Sequence, residues 1–365
     1  MPSSTRLPTR ALGRDGPQIP ALGLGLMGLS TFYGKPGSDE ERFEFLDRAY
    51  ELGCTHWDSA QMYGDNEVLL GKWFTRTGKR SEIFLTTKFG NHVTPEGGRE
   101  IRNDAEYIRQ SVAESFEKLQ TDYIDLLYWY VLPKKFKENG TCSHAHRNSH
   151  RFTGTIPVET IVTVMKEFVD AGKVKYLGLS ECGVDTLERA VKIHPIHAYQ
   201  IEYSPFSMDV EKPEVGLLDC CKRLGIALVA YSPLGRGILT GQYRSVDDFD
   251  KDDFRRTIPR FATQENFDKN LKLVDTITAI GKTKNASPGQ VTLAWMIKQD
   301  PLIFPIPGTK KIKYLEENIG ALYVDLTDEE DKAIRHAIES AEVVGTRVAE
   351  HLMGVLVVDT PPLTN

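Results

Sequence analysis

Short apolar runs alternate along the chain with longer stretches whose apolar residues recur every three to four positions. The runs at 22–27, 53–58, 83–88, 123–129, 174–180, 198–202, 226–231 and 302–306 predict eight strands. Between them, helical periodicity predicts helices over 39–52, 66–74, 105–119, 158–171, 184–192, 212–223, 288–298 and 311–320. Ser38 followed by Glu41 reads as a capping box, and Gly53 as the stop of the same helix. Ile108, Val112, Phe116 and Leu119 line one stripe of another. Eight strand–helix units in series predict an α/β fold, a closed (β/α)8 TIM barrel forming a single domain over residues 1–365. Residues 7–20 precede the first unit and are expected to form a hairpin that plugs the barrel bottom. Two stretches break the rhythm. Residues 130–156 are polar and too long for an ordinary strand–helix loop, and 235–265 read as a lid.

The charge balance narrows the partners. Forty-five basic against 51 acidic residues give a net charge of −6, with no basic field to hold nucleic acid. No apolar run reaches the roughly 18–20 residues that span a bilayer, and the polar N-terminus has no signal-peptide pattern. Five cysteines without a CxxC pair fit a reducing, cytoplasmic setting. No metal site is expected: Cys142, His144, His146 and His150 match no standard zinc spacing. Gly23, Gly25 and Gly28 satisfy GxGxxG, but no helix opens after them, so they are read as glycines that ease a tight first strand rather than as an open-sheet dinucleotide site.

Catalytic groups of such a barrel gather at the C-terminal strand ends. Asp58 closes the second predicted strand, Tyr63 follows in its loop, and Lys88 closes the third. A phenol titrates near pH 10 and is a poor acid at neutrality. A neighbouring ammonium should lower that pKa, with Asp58 holding Lys88 charged and oriented. The competing interpretation is a rim salt bridge beside an incidental tyrosine. A second basic group, Lys310 and Lys313, lies at a predicted helix start after Gly308 and Thr309, where helix N–H groups favour a phosphate.

These residues carry a resemblance. Asp58, Tyr63-Gly64, Asn66-Glu67, Leu69-Leu70-Gly71, Thr87-Lys88-Phe89-Gly90, Gly178-Leu179-Ser180-Glu181, Gln200, Tyr231-Ser232-Pro233-Leu234-Gly235-Arg236-Gly237 and Ile306-Pro307-Gly308-Thr309-Lys310 follow the order of the aldo-keto reductases, and the chain resembles that family over residues 8 to 340. The resemblance implies NADPH/NADP+ extended over the barrel mouth and a small-molecule carbonyl substrate reduced to an alcohol. Tyr63 would be the proton donor, with Asp58, Lys88 and a histidine beside it. Ser180 and Gln200 would hold the carboxamide, Glu181 beside them, and Tyr231 would stack on the nicotinamide. The pyrophosphate would follow Ser232, Pro233, Leu234, Gly235 and Arg236, with Gly28 and Leu29 on the opposite rim. Gly308, Thr309, Lys310 and Lys313 would take the 2′-phosphate, and Glu317 and Asn318 the adenine amine. A non-catalytic, redox-sensing NADP(H)-binding subunit of the same fold is the alternative reading.

The chain departs from the family at the fourth predicted strand. Tyr130 follows Trp129 where the family has histidine and arginine, and His150-Arg151 appear only after residues 130–149. Those twenty residues read as an insertion that delays His150, the expected fourth catalytic residue. Closing a flexible loop of that length costs about 2.7 kcal/mol, which a barrel tolerates. We hypothesise a translated intron: Trp129-Tyr130-Val131 necessarily encodes GTAYGT, a splice-donor-like sequence, and an AGY codon at Ser149 would complete an acceptor in frame. Transcripts across codons 125–155 are expected to include a form that lacks the segment. A TCN codon at Ser149, or invariable retention, would refute it.

Overall fold

The computed structural model describes residues 6–93, 99–130, 156–251, 253–341, 343–348, 350–353 and 356–364. A hairpin of β1 (Thr9–Ala11) and β2 (Gln18–Pro20) precedes the barrel strands β3 (Leu24–Gly25), β4 (His56–Asp58) and β5 (Phe84–Phe89). A small antiparallel pair, β6 (Asn91–Val93) and β7 (Arg99–Ile101), rises from the end of β5. The barrel then continues through β8 (Ile124–Tyr130), β9 (Val174–Ser180), β10 (Ala198–Glu202), β11 (Ala227–Tyr231) and β12 (Ile303–Pro305). All eight barrel strands run parallel in the order β12-β11-β10-β9-β8-β5-β4-β3.

The seam explains the first glycines. Gly23 N–H donates to Pro305 O at 2.9 Å, Gly25 N–H to Pro307 O at 3.2 Å, and Gly25 bridges Gly308 in parallel. A Cβ on Gly25 would stand 2.8 Å from the Ile306 carbonyl oxygen, so closure needs glycine there. A single 3-10 turn, Met27–Leu29, follows instead of a helix.

Apolar side chains pack on both sides of the sheet. Trp57, Leu85, Leu127, Leu177 and Ile201 face the surrounding helices, while Leu126, Tyr128, Ala198, Val229 and Phe304 fill the interior. Leu12 and Ile19 of the hairpin join that interior cluster, so the plug is as expected. Eight helices match the predicted ones: α1 (Asp39–Glu51), α2 (Asn66–Thr77), α3 (Ala105–Leu119), α4 (Val158–Asp170), α5 (Val184–Ala190), α6 (Leu217–Leu224), α8 (Pro288–Gln299) and α9 (Ile312–Gly320). The predicted start of α6 at 212 is corrected to Leu217, because Gly216 at φ 65 breaks the backbone before it. Three further helices among the described residues, α7 (Gln264–Lys284), α10 (Asp328–Ser340) and the short α11 (Glu350–Met353), were not predicted.

His56 lies in the barrel interior, edge-on to Phe84 and Phe304 at 5.7 and 6.4 Å. Burial, opposed by Asp58 and the Pro20 backbone, pulls its pKa from about 6.5 down to about 4. Between those values the unfolded chain binds a proton that the folded one refuses, so this contribution to stability falls as pH drops from 6.5 toward 4. The expected size is on the order of 3 kcal/mol. As pH falls through this range the urea midpoint of the native chain should drop relative to that of His56→Phe; parallel pH profiles would count against a buried neutral imidazole.

Candidate active site

Asp58 and Lys88 end neighbouring strands and meet inside the barrel mouth. Lys88 Nζ donates to Asp58 Oδ1 at 2.5 Å and to Ser59 O at 2.7 Å. Gln200 Nε2, from β10, donates to Asp58 Oδ2 at 2.8 Å. Both side chains are almost fully buried. The Lys88 ammonium lies 5.2 Å from the Tyr63 ring centroid and 6.0 Å from that of Tyr128. Tyr63, Lys88, Ala60, Met62, Phe89, Asn91 and Tyr130 line one pocket.

The loop that carries Tyr63 is tied on three sides. Ser59 N–H donates to Thr86 O and Gln61 N–H to Lys88 O, continuing the β4–β5 ladder past the strand end. Ser59 Oγ donates to Asn66 Oδ1 at 2.6 Å, and Asn66 Nδ2 reaches Leu26 O and Ser30 Oγ. Arg42 of α1, itself buried, grips Asp65 through both carboxylate oxygens at 2.9 Å. Glu67, the next residue of that motif, is buried and accepts from Thr87 Oγ1 at 2.7 Å.

One electrostatic expectation is reversed. The ammonium was expected to lower the phenol pKa, yet burial, the Asp58 carboxylate and Tyr33 together push Tyr63 upward. Burial likewise pulls Lys88 down, against Asp58. The reason is that burial weighs most heavily against a phenolate, and the Asp58 carboxylate beside Lys88 adds to it. Tyr63 is therefore held as a neutral phenol.

The residues expected to hold a dinucleotide lie at or beyond the ends of β3, β9, β10, β11 and β12. Ser180 ends β9, and its Oγ is buried without a hydrogen-bond partner, as fits a donor or acceptor kept for a bound amide. Glu181, in the left-handed region at φ 55, accepts the Tyr231 hydroxyl at 2.7 Å. Ser232, Gly235 and Arg236 all have positive φ, forming a tight turn after β11 in which Gly235 N–H donates to Ser232 O. Pro233 and Leu234 lie within that turn. Arg236 Nη2 contacts Glu202 Oε2 at 3.3 Å. Gly28 and Leu29 form the 3-10 turn after β3, where a Cβ on Gly28 would meet only the Tyr33 ring, at 3.8 Å. Lys310 Nζ donates to Tyr33 O at 2.6 Å, and Thr309 Oγ1 accepts Lys311 N–H just before α9. Lys313 is exposed on the first turn of α9, Glu317 accepts from Ser287, and Asn318 is buried. His150 lies outside the described residues. At the end of β8 it is Tyr130 that enters the pocket, its hydroxyl pKa pushed up by burial, by Glu181 and by Tyr63.

Sequence reasoning missed the groups that the loops deliver. Phe254 of the 235–265 segment packs edge-on against Tyr33 at 5.3 Å and Phe32 at 6.2 Å, and Arg255 lies over Tyr243 and Phe249. Arg347 of the C-terminal tail donates to both oxygens of Glu181 at 2.8 Å. The aromatic and arginine content of 235–265 signalled the first; nothing local signalled the second.

Removing one member of a buried ion pair strands the other. Lys88→Met should destabilise the chain by about 3–5 kcal/mol, and adding Asp58→Asn should recover much of that loss. Chemical denaturation of the two single variants and the double checks it; additive losses would deny the coupling.

Among the described residues no helix is long and apolar enough to cross a membrane, and no group of three or more His, Cys, Asp or Glu could hold a metal. The model of the aldo/keto reductase family matches residues 21–339. Aldo-keto reductase str7 of Strobilurus tenacellus is 49% identical over 362 residues, 98% of this chain and 99% of that protein. Aldo-keto reductase yakc [NADP(+)] of Schizosaccharomyces pombe is 46% identical over 360 residues, with the same shares covered. Among solved structures, a thermostable aldo-keto reductase crystallised with the inhibitor epalrestat superposes with a TM-score of 0.67 at 29% identity, covering 91% of this chain and all of that one. The glycerol dehydrogenase of Gluconobacter oxydans has the same fold, with a TM-score of 0.77 at 22% identity over 95% and 98% of the two chains. With its barrel, its strand-end lysine, aspartate and tyrosine, and these relatives along its whole length, the chain belongs to the aldo/keto reductase family and is an oxidoreductase.

Proposed function

We propose that the chain reduces aldehydes or ketones to alcohols with NADPH, in the cytoplasm, as a single barrel domain. The observation that carries this reading is the Lys88–Asp58 pair, 2.5 Å apart in a pocket that it shares with Tyr63. NADPH supplies the hydride. Tyr63, held as a neutral phenol, gives its proton to the oxygen that becomes an alkoxide, and Lys88 compensates the phenolate left behind. Asp58 keeps Lys88 oriented, and Gln200 and the Ser59 carbonyl keep that pair from turning away.

The same proposal assigns the cofactor's binding groups. Ser180, with its unpartnered hydroxyl, and Gln200 take the carboxamide, with Glu181 beside them. Tyr231 stacks on the nicotinamide, and the turn from Ser232 to Arg236 follows the pyrophosphate, opposite Gly28 and Leu29. Gly308, Thr309, Lys310 and Lys313 receive the 2′-phosphate, which favours NADP over NAD, and Glu317 and Asn318 the adenine. The NADP(+) in the name of the fission-yeast relative, 46% identical, supports that choice. Residues 130–149 are an insertion in this reading, His150 is the fourth catalytic residue, and Tyr130 is the described hydroxyl at the same pocket wall.

Tyr63→Phe should cut NADPH oxidation with 4-nitrobenzaldehyde by about two to four orders of magnitude. NADPH affinity, read from cofactor fluorescence, should change less than about twofold, since the phenol adds nothing to ground-state cofactor binding. Undiminished turnover removes Tyr63 from its role. Tight NADPH binding by the native chain without turnover of any carbonyl would favour the redox-sensing alternative.

A further inference from the structure

Glu181 is a buried carboxylate whose four contacts are all made within the chain. It accepts two hydrogen bonds from Arg347, one from the Tyr231 hydroxyl at 2.7 Å, and one from Glu202 N–H at 3.3 Å. Only Arg347 brings a charge. Arg347 Nη1 also stands 3.2 Å from the Tyr231 hydroxyl and 3.8 Å from Glu202 Oε2. Both side chains of the pair are 4% exposed or less. The second carboxylate, Glu202, has other partners: Arg236 at 3.3 Å, and Ser207 Oγ, which Arg260 also contacts. Deleting Arg347 therefore bares Glu181 and leaves Glu202 paired.

The tail that presents Arg347 is anchored on both sides. Asn270 of α7 exchanges two hydrogen bonds with the Val344 backbone at 3.1 and 3.2 Å. Arg260 N–H and Nε donate to Thr346 O and Gly345 O. Gly345 sits at φ 85, and a Cβ there would lie 2.6 Å from the Arg260 backbone, so the close passage is open to glycine alone. Beyond the guanidinium, Val358 bridges Cys182, and Asp359 Oδ1 accepts Thr186 N–H. A chain held this way delivers its arginine to one place.

We propose that Arg347 is the counter-ion of the cofactor platform: by neutralising Glu181 beside Tyr231 it sets the relative affinity of the chain for oxidised and reduced NADP. This rests on the reading that the nicotinamide lies against Tyr231. The ring is a cation when oxidised and neutral when reduced. A bare carboxylate held in a poorly screened mouth stabilises the cation selectively, whereas a matched pair favours neither form. A reductase profits from the neutral platform, because oxidised cofactor is then free to leave. Arg236 and Arg260 lie farther round the mouth, toward Glu202, and do not replace the guanidinium at Glu181.

The test is titration of NADP+ and of NADPH onto the full chain. Arg347→Gln should lower the ratio Kd(NADP+)/Kd(NADPH) about tenfold, the order expected of one buried charge acting across a binding site. Glu181→Gln, which leaves the guanidinium only the more distant Glu202 carboxylate at 3.8 Å, should raise that ratio by a smaller factor, and the double variant should return it toward the native value. A purely structural role would weaken both forms together and leave the ratio alone. The proposal falls if the ratio is unchanged, or if both single variants move it the same way. Should Arg347→Gln not fold, Glu181→Gln decides alone: a raised ratio supports the proposal, and an unchanged or lowered one overturns it. A native chain that binds NADPH, with variants of unaltered ratio, sinks this inference only; one that binds neither form sinks the functional reading with it.

Discussion

A lysine and an aspartate buried against each other at the mouth of a parallel barrel constrain everything around them. Taking two such charges out of water costs several kcal/mol each, and only close contact with every remaining lone pair and proton engaged repays it. Here Asp58 receives Lys88 on one oxygen and Gln200 on the other, while Lys88 also reaches the Ser59 carbonyl. Those contacts require β4, β5 and β10 to end at the same height. The register that pairs Asp58 with Thr86 and Gln200 with Ser180 accomplishes this. The pair is a weak source of stability, but it holds a fixed dipole next to the Tyr63 phenol.

The rest of the mouth follows the same electrostatic plan. Glu181 is matched by Arg347, and Glu202 by Arg236. Each carboxylate belongs to a strand end or the residue just past it, and each guanidinium to a loop or to the tail. The barrel thus fixes the negative ends of the pairs and the loops supply the positive ones. In a poorly screened mouth every uncompensated charge acts across the whole site, and matching the charges in pairs leaves few such fields there.

The strands were legible because a parallel sheet covered by helices on its outside and closed on itself reads as plain apolar runs. α1 was legible from its cap, since Ser38 and Glu41 do form a capping box. α7 was not, because Gln264-Glu265-Asn266 open it with a polar turn. Its buried stripe of Phe267, Leu271, Val274 and Ile277 emerges only once Thr263 is recognised as the N-cap. α10 hid behind four consecutive acidic residues, of which only Ile334 farther on is buried. At the site, strand-end residues could be found because a barrel dictates where strand ends meet. Arg347 could not, being 166 residues from Glu181 with no periodic pattern to connect them. The direction of the Tyr63 shift was equally out of reach, since it depends on how deeply the phenol is buried and on the carboxylate beside the lysine.

Placement of Tyr63 is a separate problem from placement of Lys88. Hydrogen bonding within the sheet sets the height of Lys88 and Asp58, but a residue five positions past a strand end has lost that support. The chain supplies it by polar ties rather than by packing: Asn66, fully buried, joins the loop after β4 to Leu26 and Ser30 in the loop after β3. Arg42 then clamps Asp65 from α1. Gly64, at φ 60, lets the backbone turn between the phenol and that clamp. An apolar contact would tolerate sliding by a few tenths of an ångström, whereas hydrogen bonds to three separate elements do not. The buried asparagine of the Asn66-Glu67 motif is therefore best understood as what fixes the loop that carries Tyr63.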